Sequence, residues 1–308
     1  MLQLEKLVIN YLEICKYQKN LSQKTLKAYK IDFQQFLNYM KGTDGNLNKI
    51  NLSNYITYLH KTYKPKTIKR KLASLKAFCN YLEYDEVIQK DPFSKIKVKF
   101  QEPFLLPRTI PLTTIQTVLS TVYKELSQNN TAFKFKTVLR DIAVLELLFA
   151  TGIRVSELCS LTVDDVNMSD GFIRIYGKGS RERIVQIVNK DVLLALRNYK
   201  NAFLDKMNER DFFFINRLNN RLSEQSVRFM INKYVYMAGV ATHITPHMFR
   251  HTFATLLLEE DVDIRYIQRL LGHSSIVTTQ IYTHVTSNKQ KCILASKHPR
   301  NKVVINKG

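Results

Sequence analysis

Apolar residues recur at helical spacing from the start of the chain. In MLQLEKLVINYLEIC they are interrupted by Glu5, Lys6 and Glu13, which predicts an amphipathic helix and not a signal peptide. A second helix follows Ser22, a good N-cap, with Leu26, Tyr29, Phe33, Phe36, Leu37 and Met40 on its apolar side. In KPKTIKRKLASLKAFCNYLEY the stripe is Ile68, Leu72, Leu75, Cys79 and Leu82, while Lys66, Lys69, Arg70, Lys71 and Lys76 crowd the N-terminal half and the opposite face. Pro103, Pro107 and Pro111 then break the pattern, and three prolines so close together deny donors and favour extended backbone. Beyond them lies a polar stretch, YKELSQNNTAFKFKT, that reads as a loop or frayed helix end. RDIAVLELLFATG predicts a buried helix stopped at Gly152. From residue 172 the period becomes extended: GFIRIYGKGSRERIVQI carries two β-branched runs around Gly177, Lys178, Gly179 and Ser180, a hairpin signal. Helical periodicity then resumes.

The pattern divides the chain into residues 1–100, a small helical domain; 101–111, a linker; 112–297, a mostly helical domain with one small antiparallel β-sheet; and 298–308, a tail. Both halves are basic. The 308 residues hold 47 Lys plus Arg against 26 Asp plus Glu, a net charge of +21, of which the first hundred residues supply 19 cations and 8 anions. An apolar share of 45% supports real cores and argues against disorder. A basic globular chain favours a polyanion, nucleic acid before an anionic membrane surface, although Lys-rich coding alone also makes enzymes basic. No apolar run approaches the ~18 residues that cross a bilayer. Cys15, Cys79, Cys159 and Cys292 lie far apart, with neither disulfide nor zinc spacing, which fits a reducing, cytoplasmic location. The basic face of the 66–76 helix suits a duplex, where its cations would displace condensed counterions, and equally suits solvent.

Four regions carry chemistry. In ATGIRVSEL, Arg154 follows the glycine that ends a buried helix, and Glu157 is spaced to orient it; the same pair elsewhere is an ordinary surface ion pair. In THITPHMFRHTFATLLL, Thr245 can cap, Pro246 suits the first helical position, and His247 and Arg250 fall at i and i+3, forming an anion site near a helix N-terminus. His247 and His251 match a two-histidine metal spacing, but without cysteine pairs or a partner glutamate no metal is expected. GKGS lacks the earlier glycine of a nucleotide-binding loop, since that position is Phe172, so Lys178 reads as a turn lysine that can swing toward a phosphate. In DIRYIQRLLGHSSIVTTQIYTHV, a helix ends at Gly272, His273 follows, and Tyr282 lies two turns into a β-branched, weakly helical segment.

Arg154, Lys178, His247-x-x-Arg250, His273 and Tyr282, in that order, resemble the active-site set of the tyrosine recombinases, the phage integrase family. ATGIRVSEL, GKGSRER, PHMFRHTFAT, LLGHSSIVTTQIYTH and the closing KHPR resemble its Xer branch in particular. The resemblance implies a mainly α, two-domain clamp, with a SAM-like core-binding domain at the N-terminus and a catalytic domain behind it. It implies double-stranded DNA as substrate, a 3′-phosphotyrosine intermediate on Tyr282, and no cofactor. Arg154 and Arg250 would hold the scissile phosphate, His247 assist the nucleophile, His273 donate to the phosphate and Lys178 protonate the leaving 5′ oxygen. Lys66, Lys69, Arg70, Lys71, Lys76 and Arg181 are the expected DNA contacts.

The family also implies a homotetramer on two duplexes, a dimer per site, with residues 285–297 packing into a neighbour and a second recombinase as a conceivable hetero-partner. Two rivals use the same features. A type IB topoisomerase shares a similar residue set, but the compact helical domain and HPR close fit recombinases better. A catalytically silent DNA-binding protein would keep the charge and leave Tyr282 structural.

Overall fold

The computed structural model describes residues 2–96, 108–128, 131–177, 182–207, 211–272 and 293–305. The chain divides into two compact units, Met1–Leu105 and Leu106–Gly308. The architecture is mainly helical, with a small antiparallel sheet, as the periodicity predicts.

The first unit holds α1 (Leu2–Tyr17), α2 (Gln23–Met40), α3 (Lys49–Thr62) and α4 (Pro65–Tyr84). Ser22 caps α2 by accepting from the Thr25 amide, and Pro65 opens α4 where its missing N–H costs nothing. The core is aromatic: Tyr11, Phe33 and Phe78 meet with ring centroids 5.3–5.9 Å apart, at the offsets aromatic quadrupoles favour. Charge nevertheless enters this core. Asp32 on α2 and Lys71 and Ser74 on α4 are all buried. The Lys71 ammonium donates to Asp32 Oδ1 at 3.0 Å and to Gln35, and lies 4.9 Å from the Tyr63 ring centre. A buried ammonium is tolerable only with such partners.

The second unit is organised on α6 (Ala132–Thr151), whose last four turns are almost wholly buried. α5 (Leu112–Ser127), α8 (Lys190–Met207), α9 (Glu224–Met237) and α10 (Pro246–Glu259) pack around it. The polar stretch read as a loop is largely helix: α5 runs to Ser127, and Thr131 caps α6 by accepting from the Lys134 amide. The first turns of α6 project into solvent, so polar residues there mark exposure and not a break. After α6 come the single-turn α7 (Val155–Leu158) and a sheet of β1 (Val166–Asn167), β2 (Phe172–Tyr176) and β3 (Glu182–Gln186). β2 and β3 pair antiparallel with Tyr176 opposite Glu182, so the hairpin forms, and the two-residue β1 adds an edge that periodicity is too short to reveal.

α11 (Ile264–Leu271) is capped at its start by Asp263 and ended by Gly272 at φ +62°. It packs on α10 through Phe253, Leu257, Ile267, Leu270 and Leu271, a small core that also takes Leu294 from the helical segment 293–297. This part of the stretch expected to enter a neighbour is thus closed into its own chain. The end of the chain is equally well seated. Arg300 is buried with its guanidinium bonded to Glu146 of α6 at 2.7 and 3.0 Å and to the Val303 carbonyl, and Tyr123 donates to the same carboxylate at 2.9 Å. His298 is buried between the Ala150 carbonyl, which its Nε2 meets, and the Arg300 amide, which donates to its Nδ1. Residues 298–305 therefore pack as part of the second unit.

Candidate active site

The site begins where α6 ends. Gly152 adopts φ +58°, and a Cβ there would lie 2.7 Å from the Phe253 ring and 3.0 Å from Leu271, so both conformation and space require glycine. The turn delivers Arg154 as the N-cap of α7 in extended geometry. Glu157 then takes hold of it twice: Oε2 accepts from the Arg154 amide at 2.9 Å and Oε1 from its guanidinium at 2.8 Å.

The same carboxylate is gripped from the other side by Arg183 of β3, whose Nη1 and Nη2 donate to Oε1 at 3.1 Å and Oε2 at 2.7 Å. Burial pushes the Glu157 carboxyl up, but the hydrogen bonds and charges of Arg183 and Arg154 outweigh it and hold the group below its ordinary range. Arg183 was missed from the sequence. Its signal is parity: in β3 it shares a face with fully buried Val185, while Glu182 and Ile184 point outward.

α10 brings the second pair. Thr245 precedes it in extended geometry and Pro246 opens it, as spacing predicts, although the Thr245 side chain makes no capping bond. Arg250 is buried, donating to the Gly152 carbonyl at 2.9 Å and the Leu271 carbonyl at 2.5 Å. Burial, and then the charge of Arg154, bring its guanidinium down to about 10, still protonated at neutral pH. His247 is exposed one turn earlier. Loss of hydration, followed by the positive charge of Arg250, Arg228 and Arg154, holds its imidazole below the ordinary histidine range and favours the neutral base. His251 is shifted the same way by burial, His247 and Arg250. The positive charge of Arg250, Arg228 and Arg154 makes this a poor place for a metal cation.

These groups converge on one stretch of backbone. The last three carbonyls at the end of α11 each accept from a different arginine: Leu270 from Arg183 at 3.0 Å, Leu271 from Arg250, and Gly272 from Arg154 at 3.2 Å. A helix C-terminus carries partial negative charge, so it suits cations, and here it gathers three drawn from β3, α10 and the α6–α7 turn. Among the described residues, Glu157 is the carboxylate bonded to these guanidiniums, and one negative charge against three leaves the cluster positive and suited to an oxyanion.

Lys178, Arg181, His273 and Tyr282 lie outside the described residues, although His273 directly follows Gly272 in the chain. On α4, Lys66, Lys69 and Lys76 are exposed. Lys71 is not: its ammonium is engaged inside the first unit, and Arg70 beside it pairs with Asp32. Lys71 is therefore corrected from a DNA contact to a core residue.

Two family patterns match the chain: Phage integrase family at residues 116–289, and Phage integrase, N-terminal SAM-like domain at residues 8–85. The chain is 54% identical over 294 residues to a tyrosine recombinase of Agathobacter rectalis, covering 95% of this chain and 96% of that protein. This protein belongs to the phage integrase family of tyrosine recombinases. It is also 36% identical to tyrosine recombinase XerC of Thermodesulfovibrio yellowstonii, over 96% of this chain and 97% of the relative. The fold matches that of the XerH site-specific recombinase in a post-cleavage complex with a palindromic difH substrate. There the TM-score is 0.69 at 19% identity, over 94% of this chain and 81% of that one. The recombinase is accordingly an enzyme that cleaves and rejoins DNA strands.

Proposed function

We propose that this recombinase performs site-specific strand exchange with Tyr282 as nucleophile and with Arg154, Arg250, His247, His273 and Lys178 around the scissile phosphate. A tyrosine hydroxyl titrates near ~10 and a phosphodiester repels anions, so the site must both activate the phenol and neutralise the phosphate. Arg154 and Arg250 offset the charge that grows on the non-bridging oxygens in the pentavalent transition state. His247, kept neutral by lost hydration and then by the cations beside it, accepts the phenol proton. The Tyr282 oxygen bonds to phosphorus as the bond to the 5′ oxygen breaks, and Lys178 supplies the proton that makes a 5′-hydroxyl. His273 donates to the phosphate. Because the phosphoester is retained, a 5′-hydroxyl from a second duplex reverses the step and joins new strands.

The observation that carries this reading is the convergence of Arg154 and Arg250 on the Leu271 and Gly272 carbonyls, immediately before His273. Lys66, Lys69, Arg70, Lys76 and Arg181 are the proposed duplex contacts. Exchange between two duplexes uses four protomers, two per site, in the cytoplasm. In the described chain Leu294 is buried in its own unit, so a C-terminal exchange between protomers requires that segment to leave its seat. A second recombinase subunit is compatible with the same geometry.

The test is covalent capture. Randomly nicked total DNA from the source cell is incubated with the protein, denatured, and the protein-linked fragments are sequenced. The reading predicts one enriched sequence, lost in Tyr282→Phe. Relaxation of supercoils without sequence enrichment would indicate topoisomerase-like action, and binding without any covalent product would indicate a silent binder; both contradict it.

A further inference from the structure

Three arginines meet at the end of α11, but only two were expected from the sequence to act on a phosphate. Arg183 is the third, and its surroundings differ. Its side chain is 12% exposed, and it is committed on three sides. It makes a two-point pair with Glu157, it donates through Nε to the Leu270 carbonyl, and Gly272 packs against it so closely that a Cβ there would fall 2.8 Å from Nη1. The contacts reach two segments: α7, where Glu157 holds Arg154, and the end of α11, including the residue whose carbonyl receives Arg154. Arg183 itself sits at the start of β3.

We propose that Arg183 is a positioning residue for strand cleavage, locking Glu157 and the α11 terminus into the arrangement that aims the Arg154 guanidinium. The inference rests on the reading of Arg154 as a phosphate ligand. Glu157 already meets Arg154 at both oxygens, through the amide and the guanidinium, but the guanidinium is the partner that must turn toward a phosphate, and without it the carboxylate keeps only the amide bond on that side. Bonded at both oxygens by a planar fork on the far side, it has one orientation left for Arg154. The Nε bond fixes the fork in turn against the backbone stretch that Arg154 also reaches. Lysine cannot substitute, because one ammonium does not span both carboxylate oxygens and the Leu270 carbonyl in that plane.

The experiment follows cleavage of a nicked duplex carrying the captured sequence, at saturating protein, with rate and end point recorded separately. In Arg183→Ala and Arg183→Lys the rate falls ~100-fold, the size expected when a catalytic group is misplaced by about 1 Å, while DNA affinity and the final fraction of covalent complex stay near wild type. Glu157→Gln is slowed similarly, and adding it to Arg183→Ala costs little more, because the two act as one unit. A merely structural role predicts the reverse: a smaller end point at unchanged rate. That outcome, or wild-type rate in Arg183→Lys, overturns the proposal. A second readout needs no reaction. The guanidinium nitrogens of Arg154, observed by NMR in the intact protein, should show slowed rotation in wild type and averaged signals in Arg183→Lys. Retained slow rotation overturns the proposal even if the phosphate-binding reading stands. Averaging in a protein that forms no covalent product would count against that reading instead.

Discussion

Arg154 donates to the carbonyl of Gly272 at 3.2 Å, joining the end of α6 to the end of α11 across 118 residues of sequence. Both elements end in left-handed glycines, and they meet through a side chain of the cationic cluster. Gly272→Ala puts a methyl 2.8 Å from Arg183 Nη1 and forces a non-glycine residue to φ +62°. The backbone strain alone costs about 1–2 kcal/mol. The expected result is a lowered melting temperature and cleavage reduced more than DNA binding, measured by thermal denaturation and covalent-complex formation.

Arg154 and Arg250 should part company on substitution. Arg154 is about a third exposed and its loss removes phosphate stabilisation with little cost to the fold, so Arg154→Ala should bind DNA and fail to cleave. Arg250→Ala also strands the Gly152 and Leu271 carbonyls, each buried acceptor costing about 1–3 kcal/mol. It should lose cleavage and melt several degrees lower, whereas equal stability of the two variants would show that Arg250 is not a structural tie.

The α4 cations should separate by burial. Replacing Lys66, Lys69 and Lys76 should lower the slope of log affinity against log salt by roughly 1 for each phosphate no longer neutralised. Lys71→Ala should instead destabilise the first unit, by less than the cost of about 3–5 kcal/mol for a fully unpaired buried charge, because Asp32 keeps Arg70 and Ser74 as partners. Urea unfolding beside a salt titration of DNA binding distinguishes the two.

Lys71 also shows what could be read from sequence. Ile68, Lys71, Leu72 and Leu75 fall at i, i+3, i+4 and i+7, so Lys71 occupies a stripe position, and its charge made it look like surface. What hid its role was the partner, Asp32, 39 residues away on another helix. Arg154, Glu157 and the two glycines were legible because their interactions begin locally, within a turn. Arg183 was not, because Glu157 and Leu270 lie 26 and 87 residues from it and only strand parity points inward.

The seat of the chain's end should be acid-sensitive through His298. Burial, and then the charge of Arg300, hold its imidazole down at about 4, so the folded protein keeps it neutral while the unfolded chain protonates near 6.5. Its contribution is complete above pH 6.5 and is lost as pH falls from there to about 4, a difference on the order of 3 kcal/mol. His298→Gln should be less stable at pH 7.5 and should flatten the stability profile between those values, as followed by urea unfolding across pH. An unchanged profile would remove His298 from the acid response.

His247 should set the acid limb of cleavage. With its imidazole held below the ordinary 6.5, the rate per unit concentration of enzyme and DNA should stay level as pH falls to that value and drop only beneath it. His247→Ala should abolish the limb along with most of the rate; an inflection above 6.5 that persists in His247→Ala would assign it to another group.

The central claim is that the cationic cluster serves a tyrosine outside it, and the covalent bond itself reports on this. Digestion of the captured complex with trypsin and nuclease leaves a nucleotide on one peptide, and residues 270–289 form a tryptic peptide in which Tyr282 is the sole tyrosine. The account predicts a 3′-nucleotide adduct on that peptide, at Tyr282, with a free 5′-hydroxyl on the DNA. An adduct on any other residue, or a 5′ linkage, would contradict it.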